Sequence, residues 1–259
     1  MMLPTLQHFT LTGKIILVTG AGRGLGFEIA KGLAGAGGHV ILNGRDGGRL
    51  AAAASRIAAA GGGSVETAAF DIADSAALKA AFAAIAAKHG RLDVLVNNVG
   101  ARNRKPLLEF SDAEIRDLIE VDLIAGLFLA RESARLMVPR KSGRLIAVTS
   151  IAGTLVRADD AVYPTAKAGL TGMVRALAAE FGPHGITSNA IAPGFFATET
   201  NAHLAADPIR SAAFEKRTPM GRWGRPEEIA GAAVFLASAA ASYVNGHVLT
   251  VDGGTTIMM

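Results

Sequence analysis

An apolar, β-branched run, Ile15-Ile16-Leu17-Val18, leads directly into Thr19-Gly20-Ala21-Gly22-Arg23-Gly24-Leu25-Gly26. No other feature constrains the fold as strongly. The run reads as a buried strand and the alternating glycines as a tight turn, while Leu25, Ile29 and Leu33 recur at i, i+4 and i+8 as the stripe of a helix. Glycines let backbone approach a pyrophosphate closely, and the free amides and dipole of the helix start attract that anion. Strand, glycine turn and helix in this order predict a dinucleotide-binding βα unit.

The rest of the chain repeats the alternation. Apolar runs at 14–19, 39–43, 64–70, 92–97, 144–149, 186–192 and 248–251 predict seven strands, and segments such as 74–88 and 112–138 read as helices between them. Strands that alternate with helices build a parallel sheet covered on both faces, so the fold class is α/β. The alanine-rich stretch 50–60, closed by Gly61-Gly62-Gly63, reads as a surface helix with a glycine stop. One domain over 1–259 is expected, with a dinucleotide-binding part at about 13–150 and a catalytic and substrate part at about 150–259.

Composition excludes several classes. With 259 residues, 50% of them hydrophobic, the chain has enough apolar surface for one large core. It has no cysteine, so disulfides, thiolate metal sites and cysteine nucleophiles are excluded, and no metal is expected in the site. The first residues lack the pattern of a signal peptide and no run of some 18 apolar residues occurs, so a cytoplasmic protein without membrane contact is expected. With a net charge of +4 and no basic block, nucleic acid is not expected as a partner.

Tyr163-Pro-Thr-Ala-Lys167, with Ser150 thirteen residues before the tyrosine, carries the chemistry. On a helix, i and i+4 share a face, so the Lys167 ammonium can lie beside the phenol, where positive charge favours the phenolate. A phenol poised in this way can donate or accept a proton, and Ser150 can hold the substrate oxygen.

Taken together, Thr19-Gly-x-x-x-Gly24-x-Gly26, Asp71, Asn97-Asn98-Val99-Gly100, Ser150, Tyr163-x-x-x-Lys167, Pro193-Gly194 and Val251-Asp252-Gly253-Gly254 resemble the short-chain dehydrogenase/reductase family over nearly the whole chain. The resemblance implies a Rossmann-type doubly wound sheet, commonly a homotetramer, with the active site at the carboxyl ends of the strands. It implies catalysis by Ser150, Tyr163 and Lys167, and a cofactor held by Gly20, Arg23, Gly24, Leu25, Gly26, Arg45, Asp71, Ile72, Asn97, Val99, Gly100, Tyr163, Lys167, Pro193, Gly194 and Thr198. At the end of the second strand, where NAD enzymes carry an acid, stands Gly44, followed by Arg45; NADP(H) is therefore expected over NAD(H).

Two positions depart from the family pattern. Asp122 falls where a fourth catalytic residue is usually asparagine, which adds a negative charge near Lys167, and Val99 replaces the usual alanine beside the nicotinamide. The local strings Asn43-Gly44-Arg45, Arg104 before Pro106-Leu107, Phe196-Ala197-Thr198-Glu199 and Gly221-Arg222-Trp223-Gly224 are similar to the gluconate 5-dehydrogenase-like branch. That branch implies a sugar-acid substrate interconverted between alcohol and ketone, with Arg104, Ser150 and Tyr163 binding it. A 3-oxoacyl thioester reductase is the alternative, and Asp122 leaves open a decayed, regulatory NADP-binding protein. Trp223 is expected to pack rather than bind, in or near a substrate lid over 194–222.

Overall fold

All seven expected strands form, each within about two residues of its expected ends, because β-branched side chains suit a doubly buried pleated strand. The computed structural model describes residues 4–258. After a short α1 (Pro4–Gln7) the elements run β1 (Ile15–Val18), α2 (Gly24–Gly35), β2 (His39–Gly44), α3 (Gly47–Ala60), β3 (Val65–Ala69), α4 (Ser75–His89) and β4 (Val94–Asn97). There follow α5 (Asp112–Ile119), α6 (Ala125–Met137), β5 (Gly143–Val148), α7 (Val162–Phe181), β6 (Ile186–Pro193), α8 (Ala202–Ala205), α9 (Pro208–Lys216), α10 (Ala230–Ala237) and β7 (Val248–Val251).

The strands make one sheet in the order β3-β2-β1-β4-β5-β6-β7, and every adjacent pair is parallel. Alternation divides the core. Ile16, Val18, Val40 and Leu42 pack on one face against Ile29 and Leu33 of α2, Leu50 and Ile57 of α3 and Leu236 of α10. Leu17, Ile41 and Leu95 point to the other face and meet Phe82 of α4, Leu129 of α6 and Leu170 of α7. The period-2 geometry of strands fixes this division. The order turns back between β1 and β4, which opens a crevice beyond their carboxyl ends.

Side chains cap the helices that frame this crevice. Asp46 accepts the Arg49 amide at 2.9 Å to start α3, and Asp74 accepts the Ala76 and Ala77 amides to start α4. Gly61, at φ +78°, ends α3 as the triple glycine predicts. The single helix expected over 112–138 is instead broken. Between α5 and α6 the residues Glu120–Ile124 take π-helical bonding, with the Ala125 amide reaching back to the Glu120 carbonyl. The dihedrals at both ends stay helical, and Glu120–Ile124 contains no glycine or proline that would mark the slip.

The β1–α2 turn lies against the end of β4. Asn98 Nδ2 donates to the Thr19 carbonyl at 3.1 Å and to Gly20 at 3.4 Å, while Thr19 Oγ1 accepts the Asn98 amide at 3.0 Å. A Cβ at Gly26 would run into the Gly20 carbonyl and Asn98 Nδ2. Gly26→Ala is therefore expected to cost about 1–3 kcal/mol by overpacking, a drop in melting temperature of about 3–10 °C measurable by circular dichroism.

Candidate active site

A cleft of about 860 Å³ opens at the carboxyl ends of the strands. Gly20, Arg23, Gly24, Leu25 and Gly26 form one wall, and Arg45, Asp71 and Ile72 line it beyond β2 and β3. Val99, Gly100, Ser150, Tyr163, Lys167, Pro193, Gly194 and Thr198 complete it. Sixteen of the residues expected at the site thus share one cavity, and Asn97, Arg104 and Asp122 stand outside its lining.

Those three still border it. Asn97 is buried at the end of β4, where its Oδ1 accepts the Thr19 hydroxyl at 3.3 Å. Asp122 lies on the π-helical turn, 1% exposed, and its Oδ1 accepts the Ala101 amide at 2.5 Å. Arg104 pairs through Nε with the buried carboxylate of Asp160 at 2.9 Å, which holds its guanidinium 5.5 Å from the centre of the Tyr163 ring. Burial pushes the Arg104 guanidinium down from its ordinary value, and Asp160 opposes that shift.

Tyr163 and Lys167 are both buried on α7. The Lys167 Nζ sits 5.7 Å from the phenol ring centre and donates to the Val148 carbonyl at 3.5 Å. Gly100 makes this position possible, since a Cβ there would lie 2.9 Å from Lys167 Nζ and 3.6 Å from Asp122 Oδ1. Ser150 caps a short turn by accepting the Ala152 amide at 3.1 Å, which fixes its hydroxyl at the cleft.

At the other end, Arg45 Nη1 lies 3.7 Å from Asp71 Oδ2, and the Asp71 Oδ1 accepts the Ala73 amide. Asp46, next to Arg45 in sequence, is engaged as the cap of α3. Arg49 is a cation the sequence reading missed. Its stem would touch a Cβ at Gly22 at 3.2 Å, and it lines the cleft together with Arg23 and Arg45. The signal was its place in the first turn of the helix after Arg45.

Four basic residues stand in the loops after β4 and β5, Arg104 among them, and they separate. Arg102 lines the cleft, 5.8 Å from the Tyr163 ring centre, and donates to Asn201 Oδ1 at 3.2 Å, which ties the loop after β4 to the segment after β6. Lys105 turns away to Glu114 at 2.7 Å, and hydrogen bonds from Lys105 and Ser111 hold the Glu114 carboxyl at about 2. Arg157 lies 3.7 Å from Asp160 and is mostly exposed. Trp223 packs edge-on to Phe195 with ring centres 6.1 Å apart, as expected, and donates Nε1 to Ser211.

The protein-family profile described as enoyl-(acyl carrier protein) reductase matches residues 20–256. Gluconate 5-dehydrogenase of Gluconobacter oxydans (strain 621H) is 43% identical over 97% of this chain and 98% of its own length. The chain belongs to the short-chain dehydrogenase/reductase family. It is an NAD(P)-dependent oxidoreductase of that family. The 5-keto-D-gluconate 5-reductase of Escherichia coli (strain K12) is 39% identical over 96% of this chain and 98% of its own. A gluconate 5-dehydrogenase from Burkholderia cenocepacia J2315, solved in complex with NADP and tartrate, superposes with a TM-score of 0.93 at 39% identity, covering 98% of this chain and 100% of that one.

Asp122 sets the electrostatics behind the site of this oxidoreductase. Burial pushes its carboxyl up, opposed by Lys167 and the Ala101 amide, and its Oδ2 is buried without a hydrogen-bond partner. A carboxyl raised in the folded state opposes folding once the pH passes the unfolded value of about 3.9, and fully so above the folded value. An asparagine in its place would keep the carbonyl acceptor for the Ala101 amide and lose the charge. Asp122→Asn is therefore expected to melt above the wild type at pH 8, by about 2–4 °C for each kcal/mol relieved, with the gain shrinking as pH falls towards about 4.

Proposed function

We propose that this enzyme uses NADP(H) to interconvert a secondary alcohol and a ketone on a sugar acid of the D-gluconate/5-keto-D-gluconate type. The observation that carries the substrate class is the pair of guanidinium groups over the Tyr163 ring. Arg104 stands 5.5 Å and Arg102 5.8 Å from its centre, so the proton-transfer phenol has cations beside it. A carboxylate-bearing polyol suits such a site, with Arg104 gripping the carboxylate and Ser150 and Tyr163 meeting the reacting oxygen. The tartrate held by the Burkholderia relative is a polyhydroxy acid of the same chemical kind.

The cleft fits a dinucleotide. Gly20 and Gly24 turn at φ +63° and +57°, and the start of α2 has no side-chain cap, so its amides are free for a pyrophosphate. Arg23, Arg45 and Arg49 would face a 2′-phosphate, Asp71 and Ile72 the adenine, and Asn97, Val99, Gly100, Pro193, Gly194 and Thr198 the nicotinamide half. When bound, the nicotinamide supplies or takes the hydride. In reduction the Tyr163 hydroxyl gives its proton to the carbonyl oxygen as the oxygen gains charge; in oxidation it takes the alcohol proton. Ser150 Oγ would donate to that same oxygen, and Lys167 would lend positive charge to the phenol and hydrogen-bond the ribose of the bound cofactor. Asp122 stands in the acid–base network behind Lys167. The enzyme works in the cytoplasm as a homotetramer, the assembly that the family resemblance implies.

A 3-oxoacyl thioester is the second reading, favoured by the carrier-protein description of the matching family profile. Following absorbance at 340 nm with gluconate, 5-ketogluconate and acetoacetyl thioester separates the two. Turnover is expected on the sugar acids, and Tyr163→Phe should cut it at least about 100-fold while leaving cofactor binding intact. Turnover on the thioester alone would overturn the sugar-acid reading.

Cofactor choice has its own test. Loss of one charged hydrogen bond is worth about 1.5–3 kcal/mol, so Arg45→Ala should weaken NADPH binding about 10- to 100-fold and leave NADH nearly unchanged. Fluorescence titration reads both constants, and unchanged NADPH affinity would remove Arg45 from the phosphate site.

A further inference from the structure

Three side chains meet at the end of the sheet opposite the cleft. His39 opens β2, Glu66 lies in β3 and His89 closes α4. The register sets Glu66 beside Ile41, two residues on from His39, so both side chains point to the face that α4 covers. His89 Nε2 stands 2.6 Å and His39 Nε2 3.4 Å from the same Glu66 oxygen, Oε1. The two imidazole rings lie 5.0 Å apart. All three ligand atoms fall within 4.8 Å of one another.

The hydrogen bonds leave this group incomplete. His39 Nδ1 is engaged by Ser64 Oγ at 2.5 Å, which orients the ring and turns Nε2 inward. That Nε2 is buried and has no hydrogen-bond partner. Glu66 Oε2 is taken by Lys88 Nζ, so Oε1 alone faces the two rings. Two imidazole nitrogens and a carboxylate oxygen converging from three elements form a nitrogen–oxygen set that zinc accepts without any thiolate. With metal–ligand bonds of about 2.0–2.1 Å, neighbouring ligands of a tetrahedron stand about 3.3 Å apart. The His39–Glu66 separation of 3.4 Å already has that value, the 2.6 Å between His89 and Glu66 is shorter, and no pair exceeds 4.8 Å, so small shifts of the rings bring the three ligands around one ion. The side chains keep 25%, 20% and 12% of their surface, which leaves water access to a fourth position. The Ser64 contact is the outer-shell partner that metal-bound histidines use to fix their tautomer.

We propose that His39, Glu66 and His89 form a binding site for one divalent ion of the zinc class, which ties the edge strand β3 to β2 and the end of α4. The ion is structural. It sits at the amino ends of the strands, away from the catalytic cleft, so its effect is on the stability of the dinucleotide-binding half.

Equilibrium dialysis of the full-length protein against zinc chloride, with bound metal counted by mass spectrometry, tests the site. One zinc per chain is expected, with a melting temperature that rises with zinc concentration. The double variant H39Q/H89Q should bind zinc at least about tenfold more weakly and lose the rise, while its NADPH-linked turnover stays at the wild-type rate. If that variant fails to fold, His89→Gln alone serves the same comparison. Absence of zinc from the wild type, or equal binding by wild type and variant, overturns the proposal, since the ion would then have no site here or lie on other histidines.

Discussion

The backbone of the β1–α2 turn rests directly on the end of β4, and a single side chain at Gly26 would separate them. The cleft depends on that contact. Asn98 spans it with hydrogen bonds to Thr19 and Gly20, so the residues just beyond β4, Val99 and Gly100, are held in register with the start of α2. Gly100 in turn leaves the space that Lys167 Nζ fills. Gly26 in α2 and Gly100 beyond β4 therefore let the uncapped start of α2 and Lys167 reach one cavity, at approaches that a Cβ would crowd.

Charge is distributed along the cavity in two groups. Arg23, Arg45 and Arg49 gather where α2 and α3 begin, and Arg102 and Arg104 gather over Tyr163. Each group has a buried or capping acid near it. Asp160 holds Arg104 in place from a position that is 3% exposed, Asp122 sits behind Lys167, and each keeps one buried oxygen without a hydrogen-bond partner. Asp160 pairs with a guanidinium at 2.9 Å, which low dielectric strengthens, whereas Asp122 accepts a backbone amide and burial penalises its charge.

The sheet was readable in the sequence because most strands are short apolar runs bounded by turn residues, and the period-2 geometry of a strand then divides the faces. The glycine turn and the Tyr163–Lys167 pair were readable because each is a pattern of local spacing, and the structure brings both to one cleft. What escaped depends on contacts between distant segments. Asp160 meets Arg104 across 56 positions of sequence, and Arg49 joins Arg45 only because Asp46 starts a helix between them. His39, Glu66 and His89 have no motif spacing, and register alone assembles them. The π-helical turn at Glu120–Ile124 was invisible for a different reason: it contains no glycine or proline that would mark the shift of its hydrogen bonds.

That turn has a consequence for how the chain tolerates changes of length. A π-helical turn holds one residue more than the α-helix around it, so the segment carries a residue that α5 and α6 do not need for their own bonding. Removing one residue there would let the two helices fuse into a continuous α-helix. The two helices would keep their relative phase, because the π-helical turn absorbs the surplus residue within itself. Asp122 would leave its place under Ala101 and Lys167. The surplus residue therefore sets the local path of the turn, and with it which side chain stands behind Lys167.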